Sequence, residues 1–445
     1  CSDHGFHLGE KQNWEKFALW DQTTRVPCFI RAPGVSRDGA KTRAPVTLTD
    51  LYPSLCELAG LPVPPQCDGL SLVPQLRDPA APRDRPALTS YVFRGDPAPS
   101  HAAADTRHRL IRHAYGAQAG YMRMIDPAFK AWEMIWSALG ARHYVETGVL
   151  ALADHPGGWL AESRAALLAD GHGCADLAAG DITARFPMLS GQGIADAFTL
   201  PRGGVLFADR IVAGLAAHLA AQGVVFEAAE VAAALSEKAA IRLTNGAERS
   251  ADLLVLAAGP WGPKLAGAGL AGRVVASRQI LVRLEAPPEF RAAWEAAPML
   301  LDLAEDGGFY AVPPVGGTAL KIGDHRFSRQ GDAGADPREA TQAEIEEILA
   351  FARPRLINAD AYRVLGAAAC YYDVEDREEF ILEALAPRSF VMSGFSGHGF
   401  KFAPLLGLAL AAAAEDTALA RALPGWAAGR DAPAPGLLAG LESTT

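Results

Sequence analysis

Two lysines open the chemistry of this chain. Lys321 sits in Gly316-Gly317-Thr318-Ala319-Leu320-Lys321-Ile322-Gly323-Asp324-His325, a strand-like run with Tyr310 upstream. An amine turned inward from a strand is costly unless an anion, a water or a cofactor meets it. Lys401 stands near the end of Ser393-Gly394-Phe395-Ser396-Gly397-His398-Gly399-Phe400-Lys401-Phe402, which follows the apolar run 390–392 and precedes a helical stretch. Its glycines let backbone approach a ligand closely, and a helix N-terminus beside a lysine welcomes an anion. The same run also reads as a plain glycine-rich strand-to-helix turn. Arg109 and Arg112, in Arg109-Leu110-Ile111-Arg112-His113-Ala114-Tyr115-Gly116, either clamp a carboxylate or lie on a solvated helix face. Cys370-Tyr371-Tyr372 ends a run of small residues, where a single cysteine is ordinarily a buried hydrophobe. Asp3 and His4 pair a carboxylate with an imidazole, suited to a metal edge or general-base work, or to a loop with no role.

The elements that must position these groups follow from periodicity and punctuation. Helices are expected over 127–140, 158–169, 208–222, 341–353 and 404–414, with Thr341 and Glu344 spaced as a capping box. Strands are expected over 144–151, 224–227, 240–244, 252–258, 274–284, 308–313, 319–323, 364–373, 379–383 and 389–393. Asn245-Gly246 between two of these runs signals a hairpin. The balance is an α/β and α+β fold: a mixed antiparallel sheet beside a smaller α/β unit. Nearer the start, Thr49–Ala59 reads as a helix stopped at Gly60, and Val26–Arg31 as a strand.

The chain has 445 residues, 50% of them hydrophobic and 21% charged, enough for more than one core. Lys plus Arg is 41 against 51 Asp plus Glu, a net charge of −10. That excludes non-specific nucleic-acid binding as the main task, while a local basic pocket for a small anion stays open. Six scattered cysteines without a CxxC fit a reduced, cytoplasmic chain. No signal peptide and no apolar run of membrane-spanning length is read, so no membrane partner is expected. The chain opens at Cys1 and not at Met, as a piece of a longer chain would. Proline is dense before about residue 100 and the texture afterwards is rich in Ala, Gly and Leu. The boundaries expected are 1–95, a junction 96–104, a body 105–425 and a tail 426–445.

Residues 1–95 resemble the C-terminal part of a sulfatase of the alkaline-phosphatase superfamily. The pieces that carry the resemblance are Ser2-Asp3-His4-Gly5, Leu8-Gly9-Glu10, Trp14, Lys16, Arg25-Val26-Pro27, Asp50-Leu51-Tyr52-Pro53 and Asp68-Gly69-Leu70-Ser71-Leu72. It implies that Asp3 and His4 belong to a vestigial metal site, calcium in the complete family, and that Lys16 contacts sulfate. The family's C/S-x-P-x-R nucleophile motif occurs nowhere in the sequence, nor does its first pair of metal-binding aspartates. Hydrolysis through that part is therefore not expected.

Residues 105–425 resemble the D-amino-acid-oxidase-like FAD-dependent oxidoreductases, and within them monomeric sarcosine oxidase and N-methyltryptophan oxidase most. The resemblance rests on Thr147-Gly148-Val149-Leu150, Gly203-Gly204-Val205-Leu206, Val255-Leu256-Ala257-Ala258-Gly259-Pro260-Trp261, Ala319-Leu320-Lys321-Ile322-Gly323, Cys370-Tyr371-Tyr372 and Gly394–Phe402. It implies FAD, held covalently through Cys370, with Gly259 at the cofactor and Gly397, His398, Gly399 and Phe400 around the isoalloxazine edge. Arg112, Lys401 and Tyr372 would bind the substrate, a small amine bearing a carboxylate. Tyr310 and His325 would line the substrate side, Arg109 would lie near the flavin, and Lys321 would promote reaction with molecular oxygen.

One family feature is missing. The strand–GxGxxG–helix that cradles the FAD pyrophosphate should precede Arg109, and sulfatase-like sequence stands in its place. The GxGxxG at Gly267–Gly272 follows a helical stretch and precedes a strand, the wrong context for that task. Both family patterns read through Arg109–Gly116, as a fusion or a misassembled gene would. The expectation is an FAD-dependent oxidase of a secondary amine or N-methyl amino acid whose FAD-binding domain lacks its first βαβ unit. The alternatives are a sulfatase remnant, or a chimera of the two without activity.

Overall fold

The computed structural model describes residues 28–42, 44, 46–64, 67, 69–81, 108–305 and 308–442. The chain divides into two compact units, Cys1–Ser100 and His101–Thr445. In the first, a short 3-10 turn Leu48–Asp50 leads into the helix Leu51–Leu58, and a second helix spans Val73–Arg77. Asp50 is buried, and its carboxylate accepts from Thr47 N at 2.7 Å and from Leu70 N at 2.9 Å. Ser54 Oγ likewise accepts from Leu72 N at 2.8 Å. These two polar side chains stitch the loop 69–72 to the helix. Cys28–Arg31 is irregular, so the described part of the strand expected over Val26–Arg31 does not form. Asp3, His4 and Lys16 lie outside the described residues.

The second unit is built on an eight-stranded mixed sheet. Its order is Arg363–Glu375, Val274–Glu285, Leu320–Asp324, Phe309–Val312, Met299–Asp302, Val149–Ala153, Asp196–Leu200 and Ala175–Asp176. All its pairings are antiparallel except Met299–Asp302 with Val149–Ala153. Side chains alternate between the faces of a strand, and the core follows that alternation closely. Leu150, Leu152, Ile280, Val282, Leu300, Phe309, Ala311, Leu320 and Ile322 pack on one face, against Phe290 and Trp294 of the helix Pro288–Glu295 and Ile348 of Gln342–Ala352. Val149, Ala151, Phe198, Met299, Leu301 and Val312 face the other way. There they join the core of the long helix Ala119–Leu139 and of Ala403–Glu415. The capping box at Thr341 forms, with Glu344 N donating to Thr341 Oγ1 at 3.2 Å.

Three smaller sheets complete the unit. His108–Arg112 pairs with Gly203–Phe207, which also pairs with Tyr144–Glu146. Val231–Leu235, Ala240–Leu243 and Glu248–Ser250 form a meander whose second turn holds Asn245-Gly246. Leu254–Leu256 runs parallel to Ser389–Ser393, which pairs on its other side with Ile381–Ala386. Within this last sheet Leu254–Leu256 is an edge. The strand expected over 224–227 is a correction: residues 224–230 are irregular, with Val225 88% and Phe226 60% exposed. Their residue types favour a strand, but a strand needs a ladder partner, and among the described residues none pairs with them. The helix expected at 127 begins at Ala119, and Pro127 is carried inside it. The strand expected over 144–151 breaks at Gly148, whose φ of 73° turns the chain from one sheet into the next. Among the described residues no helix is long and apolar enough to cross a membrane.

Candidate active site

The pleat decides which sequence candidates can meet. Lys321 is opposite Val312 and Arg283, Gly323 is opposite Tyr310, and Cys370 is opposite Gln279. Counting by twos along these strands places Tyr310, Lys321, Arg283, Gln279, Cys370 and Tyr372 on one face, the face away from the Phe290 and Trp294 core. Lys321 is 3% exposed, its Nζ donating to the His108 carbonyl at 2.6 Å and lying 5.9 Å from the Tyr310 ring centroid. That bond ties the central sheet to the strand that carries Arg109 and Arg112. The Tyr310 hydroxyl is pushed up in pKa by burial and by Tyr372, while Arg109 works in the opposite sense. Tyr372 is pushed up to about 12 by burial, and a hydrogen bond with Tyr310 opposes that. Cys370 is a half-buried thiol in the middle of the strand Arg363–Glu375, two residues before Tyr372.

A second group gathers around Tyr115. Lys401 is 5% exposed and donates to the Tyr115 hydroxyl at 2.9 Å. The Arg112 guanidinium lies between two rings, 5.0 Å from Tyr115 and 5.2 Å from Trp159. Trp132 Nε1 fixes the lysine's own backbone by donating to its carbonyl at 2.8 Å. Burial lowers the Lys401 amine well below its ordinary pKa, and Arg112 lowers it further while Glu378 pulls it back. Glu378 is raised by burial against the opposing pull of Arg112 and Lys401, so one carboxylate serves two cations. His398 Nε2 stands 3.3 Å from the Glu378 carbonyl, with its ring 5.7 Å from that of Tyr115. His398 is held neutral by burial and by the two cations.

His325 connects the two groups. Its ring is 5.8 Å from Tyr310, and its pKa falls to about 4 through burial and then through Arg112. The loop 394–399 meets the strand end from the side. Gly397 has a φ of 77°, and a Cβ there would meet the Tyr372 ring at 2.3 Å, so only glycine lets this backbone press on that tyrosine. Phe400 opens the turn Phe400–Phe402 and rests 5.8 Å from Trp132. Gly259, with a φ of 51°, starts the turn that follows the edge strand Leu254–Leu256.

The fold therefore brings Tyr310, Lys321, Cys370 and Tyr372 to one sheet face, and Arg112 and Lys401 to Tyr115, with His325 and Arg109 between them in electrostatic reach. Tyr115, Trp159 and Glu378 escaped the sequence reading. Glu378 lies in a charged run that looks solvated, and only its positive φ of 59° marks the turn that folds it inward.

Buried polar atoms without partners show what the site would accept. Arg112 Nη1, His325 Nε2 and His398 Nδ1 are such atoms. Arg112 Nη1 and the lysines suit acceptors such as a carboxylate, whereas the neutral His398, whose Nε2 donates to the Glu378 carbonyl, offers its Nδ1 lone pair to a ligand N–H of the kind a flavin edge carries. The ring end of FAD fits these residues. For the pyrophosphate end, no strand among the described residues runs through a GxGxxG turn into a helix. Gly267–Gly269 is a 3-10 turn after the helix Gly262–Ala266.

The class follows from this fold and site together with the sequence comparison. The chain belongs to the FAD dependent oxidoreductase family, whose family profile matches residues 90–413. Residues 1–61 match the sulfatase family. Among individual proteins, it is similar to monomeric sarcosine oxidase from Bacillus sp. (strain B-0618), 28% identical over 330 residues, 72% of this chain and 84% of that protein. A sulfatase of Formosa agariphila is 34% identical over 126 residues, and there the chain spans only 24% of the relative's length. The solved glycine oxidase of Geobacillus kaustophilus superposes with a TM-score of 0.57 at 20% identity, covering 71% of this chain and 83% of that one. This last likeness is one of fold.

Proposed function

We propose that this chain oxidises a secondary amine or N-methyl amino acid, with Arg112 and Lys401 holding the substrate carboxylate. The observation that carries the reading is the gathering of Lys401 and Arg112 at Tyr115, with Glu378 as the carboxylate that acts on both. Two such charges are unfavourable in a core and favourable beside an anion. A bound FAD would supply the hydride acceptor and, through oxygen, a route to hydrogen peroxide. Cys370 would anchor it through sulfur, and Gly397, His398, Gly399 and Phe400 would flank its ring. Tyr310 and His325 would line the amine side, where His325 is neutral at physiological pH and leaves an amine unrepelled. Tyr372, beside Tyr310, would close the same wall. Lys321 would present a positive charge where reduced oxygen gathers negative charge. Val312, opposite Lys321 and on the same face, makes the neighbouring wall apolar.

The test is an oxidase assay on the purified chain supplied with FAD, using sarcosine and other N-methyl amino acids. Peroxide formation that falls when the substrate carboxylate is amidated supports the reading. Equal rates with the amidated substrate would remove the role given to Arg112 and Lys401. Sulfate release from an aryl sulfate, the activity the sulfatase match suggests, is expected to be absent, since no formylglycine motif occurs in the sequence.

A further inference from the structure

Outside this site, three side chains from three elements converge at the surface end of the strand that carries Arg112. His113 follows the strand His108–Arg112, Asp126 lies on the helix Ala119–Leu139, and His172 lies on the loop after the helix Gly158–Ala169. One ligand atom from each lies within 4.8 Å of the others. His113 Nε2 is 3.0 Å from Asp126 Oδ1, and His172 Nε2 is 3.8 Å from Asp126 Oδ2. The two imidazole centroids are 4.3 Å apart. A tetrahedral zinc ion, with bonds of about 2.0–2.1 Å, keeps its ligand atoms roughly 3.3 Å apart. The spacings here bracket that value.

We propose that His113, Asp126 and His172 bind one divalent transition-metal ion of the zinc class. Two imidazoles with one carboxylate suit such an ion, whereas calcium and magnesium take shells of oxygen. His113 is 3% exposed, which fixes its ring, while His172 at 22% and Asp126 at 42% leave an entry path and a side open to water. Two further groups face the cluster. Asp170 Oδ2 is 3.3 Å from His172 Nε2 and adds negative charge beside the ion. Arg202 Nη1 is 2.5 Å from Asp126 Oδ1, with its guanidinium 4.3 Å from the Phe129 ring centroid. Arg202 competes for the carboxylate, but it is half-exposed and can turn outward. The ion would tie the end of the Arg112 strand to the helix Ala119–Leu139 and to the loop that follows Gly158–Ala169. The latter helix also supplies Trp159, over which Arg112 lies, and Ser163, whose Oγ accepts from Gly116 N at 2.6 Å.

The experiment is calorimetric titration of the full chain with zinc chloride, followed by the visible spectrum of the cobalt-loaded chain. Neither readout needs flavin or turnover. One equivalent of zinc and a tetrahedral cobalt spectrum are expected. His172→Ala and Asp126→Asn should each weaken binding at least tenfold, and Arg202→Ala should tighten it by freeing Asp126. Both His172 and Arg202 are surface side chains, so the two opposite shifts can be read on folded protein, with circular dichroism as the check. Failure of the unaltered chain to bind a stoichiometric ion would overturn the proposal and leave a plain histidine–carboxylate–arginine network. Binding unchanged in His172→Ala would overturn it too, by placing the ion elsewhere.

Discussion

At the scale of single residues, the site is a set of charges whose burial makes them answer to a ligand. Lys401→Met should weaken binding of the substrate carboxylate by about 1.5–3 kcal/mol, the usual worth of a hydrogen bond to a charged group. The check is the KM of the amino acid against that of its amide: the variant should raise the first and leave the second. Lys321→Met should spare reduction of the flavin by substrate and slow its reoxidation by oxygen, which stopped-flow absorbance separates. His325 gives a pH signature. Its pKa is lowered from an ordinary 6.5 to about 4, first by burial and then by Arg112. Between those values the unfolded chain binds a proton that the folded chain refuses. Stability is therefore fully present above pH 6.5 and falls as the pH drops towards 4, by about 1.4 kcal/mol per pH unit. His325→Gln should remove that share of the slope in denaturant titrations run from pH 7 to pH 4.

At the scale of elements, strength and weakness lie in different sheets. Arg355, just beyond the helix Gln342–Ala352, is buried with Asp302, their Nε–Oδ2 distance being 2.6 Å. It also donates to the carbonyls of Ser190 at 2.6 Å and Gln192 at 3.0 Å. Arg355→Met leaves the Asp302 carboxylate buried and unpaired, so a loss of about 3–5 kcal/mol is expected in chemical denaturation. The edge strand Leu254–Leu256 is the opposite case. Val255 is 39% exposed and Leu253 38%, and elsewhere, in the irregular run 224–230, Val225 and Phe226 are more exposed still. An apolar, half-unpaired edge invites association. Replacing Val225 and Phe226 by lysine should shift the chain towards monomer in light scattering without lowering its melting temperature.

These elements also show what the sequence made legible. The strands Leu320–Asp324, Arg363–Glu375 and Ser389–Ser393 were readable within a residue or two, because each alternates or runs apolar between glycines and charges. The run 224–227 had the same residue types and failed, because composition does not say whether a partner strand exists. Lys321, Lys401 and Arg112 were readable as costly charges and as parts of a family pattern. Tyr115, Trp159 and Glu378 were not, since their work depends on chain reversals at Gly116 and at Glu378 itself, which no local pattern announces.

At the scale of the whole molecule, the residues proposed for the ring end of FAD come together, and the described residues offer no glycine-rich strand-to-helix turn for the pyrophosphate. The chain is therefore expected to hold FAD weakly, losing its yellow colour on gel filtration. A chain in which a strand–GxGxxG–helix replaces residues 1–104 should retain it. Stoichiometric flavin on the unaltered chain would mean that the first hundred residues supply a cradle of another kind. The central sheet carries a different consequence. Because side chains alternate, the strands that reach the site hold two separate addresses, one in the Phe290 and Trp294 core and one on the side of the site. In Leu320–Asp324 the positions 320 and 322 belong to the first, and 321 and 323 to the second. A laboratory-evolution library confined to 310, 321, 370 and 372 can thus search for new substrates while leaving the Phe290 and Trp294 packing intact. Deleting one residue from any of these strands would exchange the two addresses, and fold and activity would be lost in a single step.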